Sequence, residues 1–208
     1  MRKNKFFFIV FEGIEGTGKT YQINKLYNNL KSKKIISIKT REPGGCPSAE
    51  KIRKLIFSKT SNQFDSLTDF YLMCAARNEH VKKLLLIAQK KNKVVICDRF
   101  TDSTYAYQVI GNKIEKNFNM LNQKFILNRL KPNLTIVLKS NFNTIFSRIK
   151  KRKKINKFDK LKINFYKKAQ NAFISKAINN KNYYIFNSSK NTPDLEKEIL
   201  KLVIKKLK

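Results

Sequence analysis

Gly13-Ile14-Glu15-Gly16-Thr17-Gly18-Lys19-Thr20 stands between an apolar run, Phe6–Phe11, and a segment of helical period, Gly18–Leu30. It satisfies G-x-x-x-x-G-K-[ST] in full, in the strand–loop–helix setting that the pattern requires. The glycines let successive backbone N–H groups turn inward around phosphate oxygens, and the start of the following helix adds partial positive charge. Lys19 is placed to reach the β- and γ-phosphates, and the Thr20 hydroxyl to ligate Mg²⁺. The loop therefore reads as a nucleoside triphosphate site formed by Gly13, Ile14, Glu15, Gly16, Thr17, Gly18, Lys19 and Thr20. Taken alone it does not separate a kinase from an ATPase or a GTPase.

Outward from the loop, short apolar runs alternate with longer helical segments. Strands are expected at Phe6–Phe11, Lys34–Thr40, Val94–Cys97, Leu134–Leu138 and Tyr183–Phe186. Helices are expected at Gly18–Leu30, Ser48–Phe57, Leu67–Lys90, Asn117–Leu130, Thr144–Lys150, Leu161–Ile178 and Leu195–Leu207. Wholly apolar strands separated by helices predict a parallel sheet covered on both faces. The fold class expected is α/β: a P-loop NTPase-type open parallel five-stranded sheet with helices on both faces, as one domain over residues 1–208. The stretch Lys150–Lys160 is the poorest in regular signals.

The strand Val94–Cys97 runs directly into Asp98-Arg99. Asp98 is the candidate second metal-site group. Strand ends of this kind in water-activating ATPases commonly read Asp-Glu, whereas an arginine there suits an anionic phosphoryl acceptor. Phosphoryl transfer is largely positioning and charge neutralisation, so the acceptor phosphate needs cations near the γ-phosphate. Arg53, Arg77 and Arg99 are spaced along the chain to supply them. Selecting one neutral base among monophosphates needs buried hydrogen-bonding groups that the wrong base leaves unpaired, and Arg77, Thr104 and Gln108 are candidates. His80, one turn after Arg77, is expected to pack or cap.

The formal net charge is +32, with 46 Lys and Arg against 14 Asp and Glu. Such charge admits nucleic-acid binding. The excess is mostly lysine spread along the whole chain, and no specific nucleic-acid partner is expected. Cys46, Cys74 and Cys97 are odd in number and far apart, which excludes a disulfide framework and is expected of reduced thiols in a cytoplasmic protein. No apolar run reaches the roughly 20 residues of a membrane span.

The chain resembles bacterial thymidylate kinase along nearly its whole length. The resemblance is carried by Phe11–Thr20, by Thr40-Arg41-Glu42-Pro43-Gly44-Gly45, by Ala75-Ala76-Arg77-Asn78-Glu79-His80 and by Asp98–Gln108, in that order. It implies transfer of the γ-phosphoryl of ATP to dTMP with Mg²⁺, giving dTDP. It also implies roles. Glu15 would face the sugar 3′-hydroxyl, and Arg99 and Arg53 the acceptor phosphate. Arg77 would meet the thymine edge, with Thr104 and Gln108 lining the base pocket and Tyr107 under the sugar. Glu42-Pro43, often cis in the family, would shape the acceptor site, and Asp98 would hold Mg²⁺ through water. A homodimer is implied as well.

Two departures stand out. Met73 occupies a position that is often a thymine-stacking Phe. Gly16 occupies one that carries an arginine in some members, and glycine-bearing members draw transition-state cations from a lid instead. Here the lid, roughly residues 150–160, reads Asn156-Lys157-Phe158-Asp159, with Lys157 where arginine is expected and Arg152 nearby. Lysine lacks the bidentate fork of arginine, so Arg152 and Lys157 are both candidate lid cations. Asn187 lies where the backbone meets adenine in the family. Alternatives are a kinase of another pyrimidine deoxynucleotide, a basic nucleic-acid-binding P-loop protein, and a scaffold that binds nucleotide without turnover.

Overall fold

The computed structural model describes residues 5–58, 64–152, 157–178, 180–190 and 192–207. Part of the basic run at 150–154, and of the lid motif at 156, falls outside them. Five strands form one sheet: β1 (Phe7–Glu12), β2 (Ser37–Arg41), β3 (Val94–Asp98), β4 (Leu134–Lys139) and β5 (Tyr183–Asn187). All pair in parallel, in the order β2-β3-β1-β4-β5. The helices are α1 (Lys19–Ser32), α2 (Pro47–Ile56), α3 (Ser66–His80), α4 (Leu86–Lys90), α5 (Thr101–Thr104), α6 (Lys116–Leu127), α7 (Phe142–Lys150), α8 (Ile163–Ile178) and α9 (Pro193–Leu207).

The apolar run of β1 is continuous because both its faces are covered. Ile9 and Phe11 pack with Leu26 and Leu30 of α1 and Ile199 and Val203 of α9. Phe8 and Val10 pack on the other side with Val81, Leu85 and Phe100. A third cluster joins Val137 of β4 to Ile145 of α7, Tyr166 and Phe173 of α8, and Tyr107. Burying a Phe such as Phe8, which is fully enclosed and edge-on to Phe100 at 5.1 Å, is worth about 1.5–3 kcal/mol.

Register brings the chemistry to one sheet end. Phe11 and Arg41 both stand opposite Asp98, and Glu12 stands opposite Val137. The carboxyl ends of β1, β2 and β3 therefore set Gly13, Glu42 and Arg99 side by side, where open α/β sheets take their ligands.

Several boundaries differ from expectation for identifiable reasons. β2 begins at Ser37 because Lys34 turns at φ 59° and Ile35 N–H is tied back to Leu30 O at 2.9 Å. α6 ends at Leu127 because Asn128 and Arg129 both take positive φ, the left-handed cap that Asn favours. The run expected at Leu67–Lys90 is helical throughout but relaxes to a π-turn at Val81–Leu85. A second π-helical segment, Tyr105–Gly111, follows α5. Neither α5 nor this segment shows a helical apolar period, because Thr104 and Gln108 are buried polar residues.

Candidate active site

The first turn of α1 is left ready for an anion. Its N-cap is Gly18, at φ 84°, with no side-chain cap, and no acid follows in the first turn. The orphan N–H groups there are unclaimed by any side chain. Gly16 takes φ 75°, and a β-carbon on it would meet Ile145 O at 2.8 Å. An arginine at this position would thus need both the backbone and α7 to shift, which accounts for the glycine.

Lys19 is folded onto its own loop, its ammonium donating to Gly13 O at 2.8 Å and Ile14 O at 2.9 Å. Burial, reinforced by the nearby Arg99, lowers its pKa from 10.5 to about 8, although Asp98, Glu15 and Glu12 oppose the shift. Thr20 Oγ1 lies 3.4 Å from Asp98 Oδ2. Asp98 Oδ1 is buried with no partner among the described residues. An orphaned carboxylate oxygen beside a hydroxyl suits Mg²⁺, which typically takes one or two protein groups and fills its shell with water and phosphate.

Arg99 leaves β3 in a left-handed conformation, φ 70°. Its Nη1 donates to Gly13 O and Ser103 Oγ, both at 3.0 Å, and its Nη2 to Glu15 Oε1 at 2.7 Å. The Tyr107 hydroxyl also donates to Glu15, and the guanidinium carbon lies 5.2 Å from the Tyr107 ring centre. Burial works against the Arg99 charge, but Tyr107, Glu15, Asp98 and Glu12 outweigh it and raise the pKa. Behind this turn, burial and the neighbouring Asp102 push the fully enclosed Glu12 up to about 7, against donors from Ser103 and Phe100 and the charge of Arg99.

Opposite stands a buried ion pair. Arg77 Nε donates to Glu42 Oε2 at 2.6 Å. Its Nη1 donates to Thr104 Oγ1 at 2.9 Å and Gln123 Oε1 at 3.1 Å, and its Nη2 to Phe100 O at 2.9 Å. Four of the five guanidinium N–H groups are used, which leaves one. The other Glu42 oxygen meets His80 Nδ1 at 2.9 Å, and Thr40 Oγ1 lies 2.7 Å from His80 Nε2. Burial penalises the Glu42 charge, but Arg77 and His80 more than compensate, and its pKa is lowered. His80 thus packs, as expected, and it braces the cis Glu42–Pro43 turn. Pro43 O accepts from Arg53 Nη1 at 2.6 Å.

A cavity of about 500 Å³ is lined by both the phosphate loop and the Arg77–Glu42 pair. Its donor end is lined by Glu15, Gly16, Gly18, Lys19, Thr20 and Asp98. Its acceptor end is lined by Glu42, Pro43, Arg53, Met73, Arg77, Arg99, Thr104, Tyr107 and Gln108. Arg152 reaches it too, while donating to the buried Asp159 at 2.6 Å. Lys157 belongs to a 3₁₀ turn, Lys157–Lys160, and its side chain is outside the described residues. Asn187 does not line the cavity; its Oδ1 accepts from Ser189 N–H and Oγ–H instead.

Sequence reasoning gave no site role to six lining residues: Arg41, Phe57, Phe100, Ser103, Arg148 and Phe158. Arg148 spans from Gly16 O at 3.1 Å to Ser189 O at 3.3 Å, and its four-residue spacing from Arg152 was the available signal. Phe57 and Phe158 meet edge-on at 5.8 Å, and Phe158 meets Tyr107 at 5.4 Å. Nothing in the sequence distinguishes them from core residues.

Comparisons with known proteins agree in direction. The family model described as thymidylate kinase matches residues 11–199. A curated thymidylate kinase of Onion yellows phytoplasma (strain OY-M) is 40% identical over 169 residues, 80% of this chain and 81% of the relative. One from Mycoplasma capricolum subsp. capricolum is 34% identical over 208 residues, covering 97% and 96%. The crystal structure of thymidylate kinase from Ehrlichia chaffeensis superposes with a TM-score of 0.77 at 28% identity, covering 98% of this chain and 100% of that one.

The lowered Lys19 pKa makes nucleotide binding pH-dependent. Bound phosphate favours the charged ammonium, so the bound-state pKa lies above the free value of about 8. The Kd for ATP, measured by calorimetry, is expected to be flat below that pH and to rise by up to about tenfold per unit above it. A Kd unchanged to about pH 9.5 would contradict a buried, titrating Lys19.

Proposed function

The chain belongs to the thymidylate kinase family and transfers the γ-phosphoryl of ATP to dTMP, giving dTDP and ADP, and we propose that it does so in the cavity between Lys19 and Arg77. The observation that carries this placement is Arg99, which touches the phosphate loop at Gly13 O and lines the same cavity as Arg53. An acceptor phosphate held there would face the γ-phosphate for in-line attack.

Each role follows from the donor accounting. Lys19 exchanges Gly13 O and Ile14 O for the β- and γ-phosphate oxygens. The first turn of α1 and the loop amides take the rest of the triphosphate. Thr20 and Asp98 would hold Mg²⁺, which when bound screens the charge between β- and γ-phosphates. Arg99 and Arg53 take the acceptor phosphate, and the Glu15 carboxylate accepts from the sugar 3′-hydroxyl. Tyr107, wedged by Phe158 and Phe165, sits under the sugar. Met73 lies against the base.

The remaining N–H of Arg77 matches a thymine carbonyl, where cytosine would present an amino group and set donor against donor. Residues 150–160 act as the lid, with Arg152 or Lys157 supplying a transition-state cation. The adenine end lies toward Arg148 and β5, and Asn187 serves there through its backbone. Three unpaired, buried cysteines suit a reducing, cytoplasmic setting.

We further propose a homodimer. Tyr71 of α3 and Leu121 and Phe125 of α6 are about half exposed or more, and Phe118, beside Tyr71 at 6.0 Å, joins them into one apolar stripe. Stripes of this kind mark association surfaces. Sedimentation should give twice the 24.4 kDa chain mass, and Phe125→Lys should halve it. A monomeric parent chain would end this reading.

The catalytic assignment is tested by dTDP formation from ATP and dTMP. Asp98→Ala is expected to lower kcat by about 10²-fold or more. Arg152→Met should lower it by up to ~10³-fold, as loss of an arginine finger does, and by more than Lys157→Met. Full turnover in both lid variants would remove the lid from the mechanism.

A further inference from the structure

Glu12 ends β1 with its carboxylate sealed from solvent and outside the cavity lining. Its Oε1 accepts from the backbone N–H of Phe100 at 2.8 Å and of Ser103 at 3.2 Å. Its Oε2 accepts from the Ser103 hydroxyl at 2.6 Å. All three donors belong to the turn that carries Arg99 out of β3.

That turn needs holding. Arg99 has φ 70°, a strained conformation for a non-glycine residue that persists only when its surroundings impose it. On one side the backbone is tied by Arg99 N–H to Phe11 O at 2.9 Å. On the other, the tie is Glu12. Ser103 Oγ, while donating to Glu12, accepts from Arg99 Nη1 at 3.0 Å. Carboxylate, hydroxyl and guanidinium therefore stand in series. With Nη1 fixed by Ser103 and Gly13 and Nη2 by Glu15, the guanidinium plane is set where it lines the cavity.

Packing gives no reason for an acid here. A carboxylate buried at this depth carries a desolvation cost that an apolar residue would avoid, and only the polar turn makes use of it.

We propose that Glu12 is a positioning residue for the phosphoryl acceptor: through Ser103 and the Phe100 amide it holds the strained turn and sets the plane of the Arg99 guanidinium. It touches neither substrate. The inference rests on the assignment of Arg99 to the acceptor phosphate, made above.

Glu12→Gln keeps the shape and the Oε1 acceptor, but its amide N–H meets a Ser103 oxygen that already receives Arg99. The dissociation constants for dTMP and ATP are then measured by calorimetry in the full chain. Expected is about a tenfold weaker dTMP, the loss of one charge-assisted hydrogen bond's geometry. ATP should stay within about twofold, and in an Arg99→Met background Glu12→Gln should change dTMP binding by less than about twofold, because coupled residues are not additive. Unchanged dTMP binding, equal losses for both nucleotides, or a tenfold effect that persists without Arg99 would overturn the proposal. If Glu12→Gln fails to fold, Ser103→Ala removes the relay hydroxyl while leaving Glu12 and its backbone donors, and the same pattern is required of it. If Arg99→Met alone leaves dTMP binding intact, the acceptor-phosphate assignment fails and takes the role of Glu12 with it.

Discussion

A guanidinium withdrawn from water must have its N–H groups met, and two such groups shape the acceptor half of this molecule. Arg77 spends four donors on Glu42, Thr104, Gln123 and Phe100 O. Arg99 spends three on Gly13 O, Ser103 and Glu15. Each partner is itself held. Glu42 is braced by His80, Glu15 by Tyr107, and Ser103 by Glu12. What the protein does not use is what a substrate can take. Removing one member of such a pair leaves an uncompensated buried charge, which is far costlier than loss of a surface bridge. The site is therefore fixed before any ligand arrives.

The donor half works differently. Lys19 rests on the carbonyls of its own loop, so its ammonium has weak partners that a phosphate readily replaces. Gly13 O accepts from both Lys19 and Arg99. One backbone carbonyl thus joins the two cations proposed to meet opposite substrates. Above them, Phe158 touches Phe57 on one side and Tyr107 on the other, and its carbonyl accepts from Tyr166 at 2.6 Å. The residues beside the basic run are in this way packed directly over the acceptor end of the cavity.

The three inner strands β1, β3 and β4 were legible because they are buried on both faces, which writes a largely apolar run into the chain. The phosphate loop was legible because its geometry admits few residues: at Gly16, a β-carbon has no room against Ile145 O. The segment 101–111 was not, since its buried side is largely polar and lines the cavity, so no helical period marks it. Arg148 was missed for a related reason, as its partners are backbone carbonyls and carry no residue signature. Gln123 lies 46 positions from the arginine it holds. Glu12 was passed over because it falls between the expected strand, Phe6–Phe11, and the loop that begins at Gly13.

The central claim is that the last N–H of Arg77 chooses the base. It is tested most directly by kcat/KM for dTMP against dCMP at equal ATP, in the unmodified chain. A site whose buried donor goes unpaired with the wrong base should favour dTMP by about 10⁴-fold or more. Turnover of dCMP within about tenfold of dTMP would contradict the account, since that margin needs no more than a small apolar difference between the two bases.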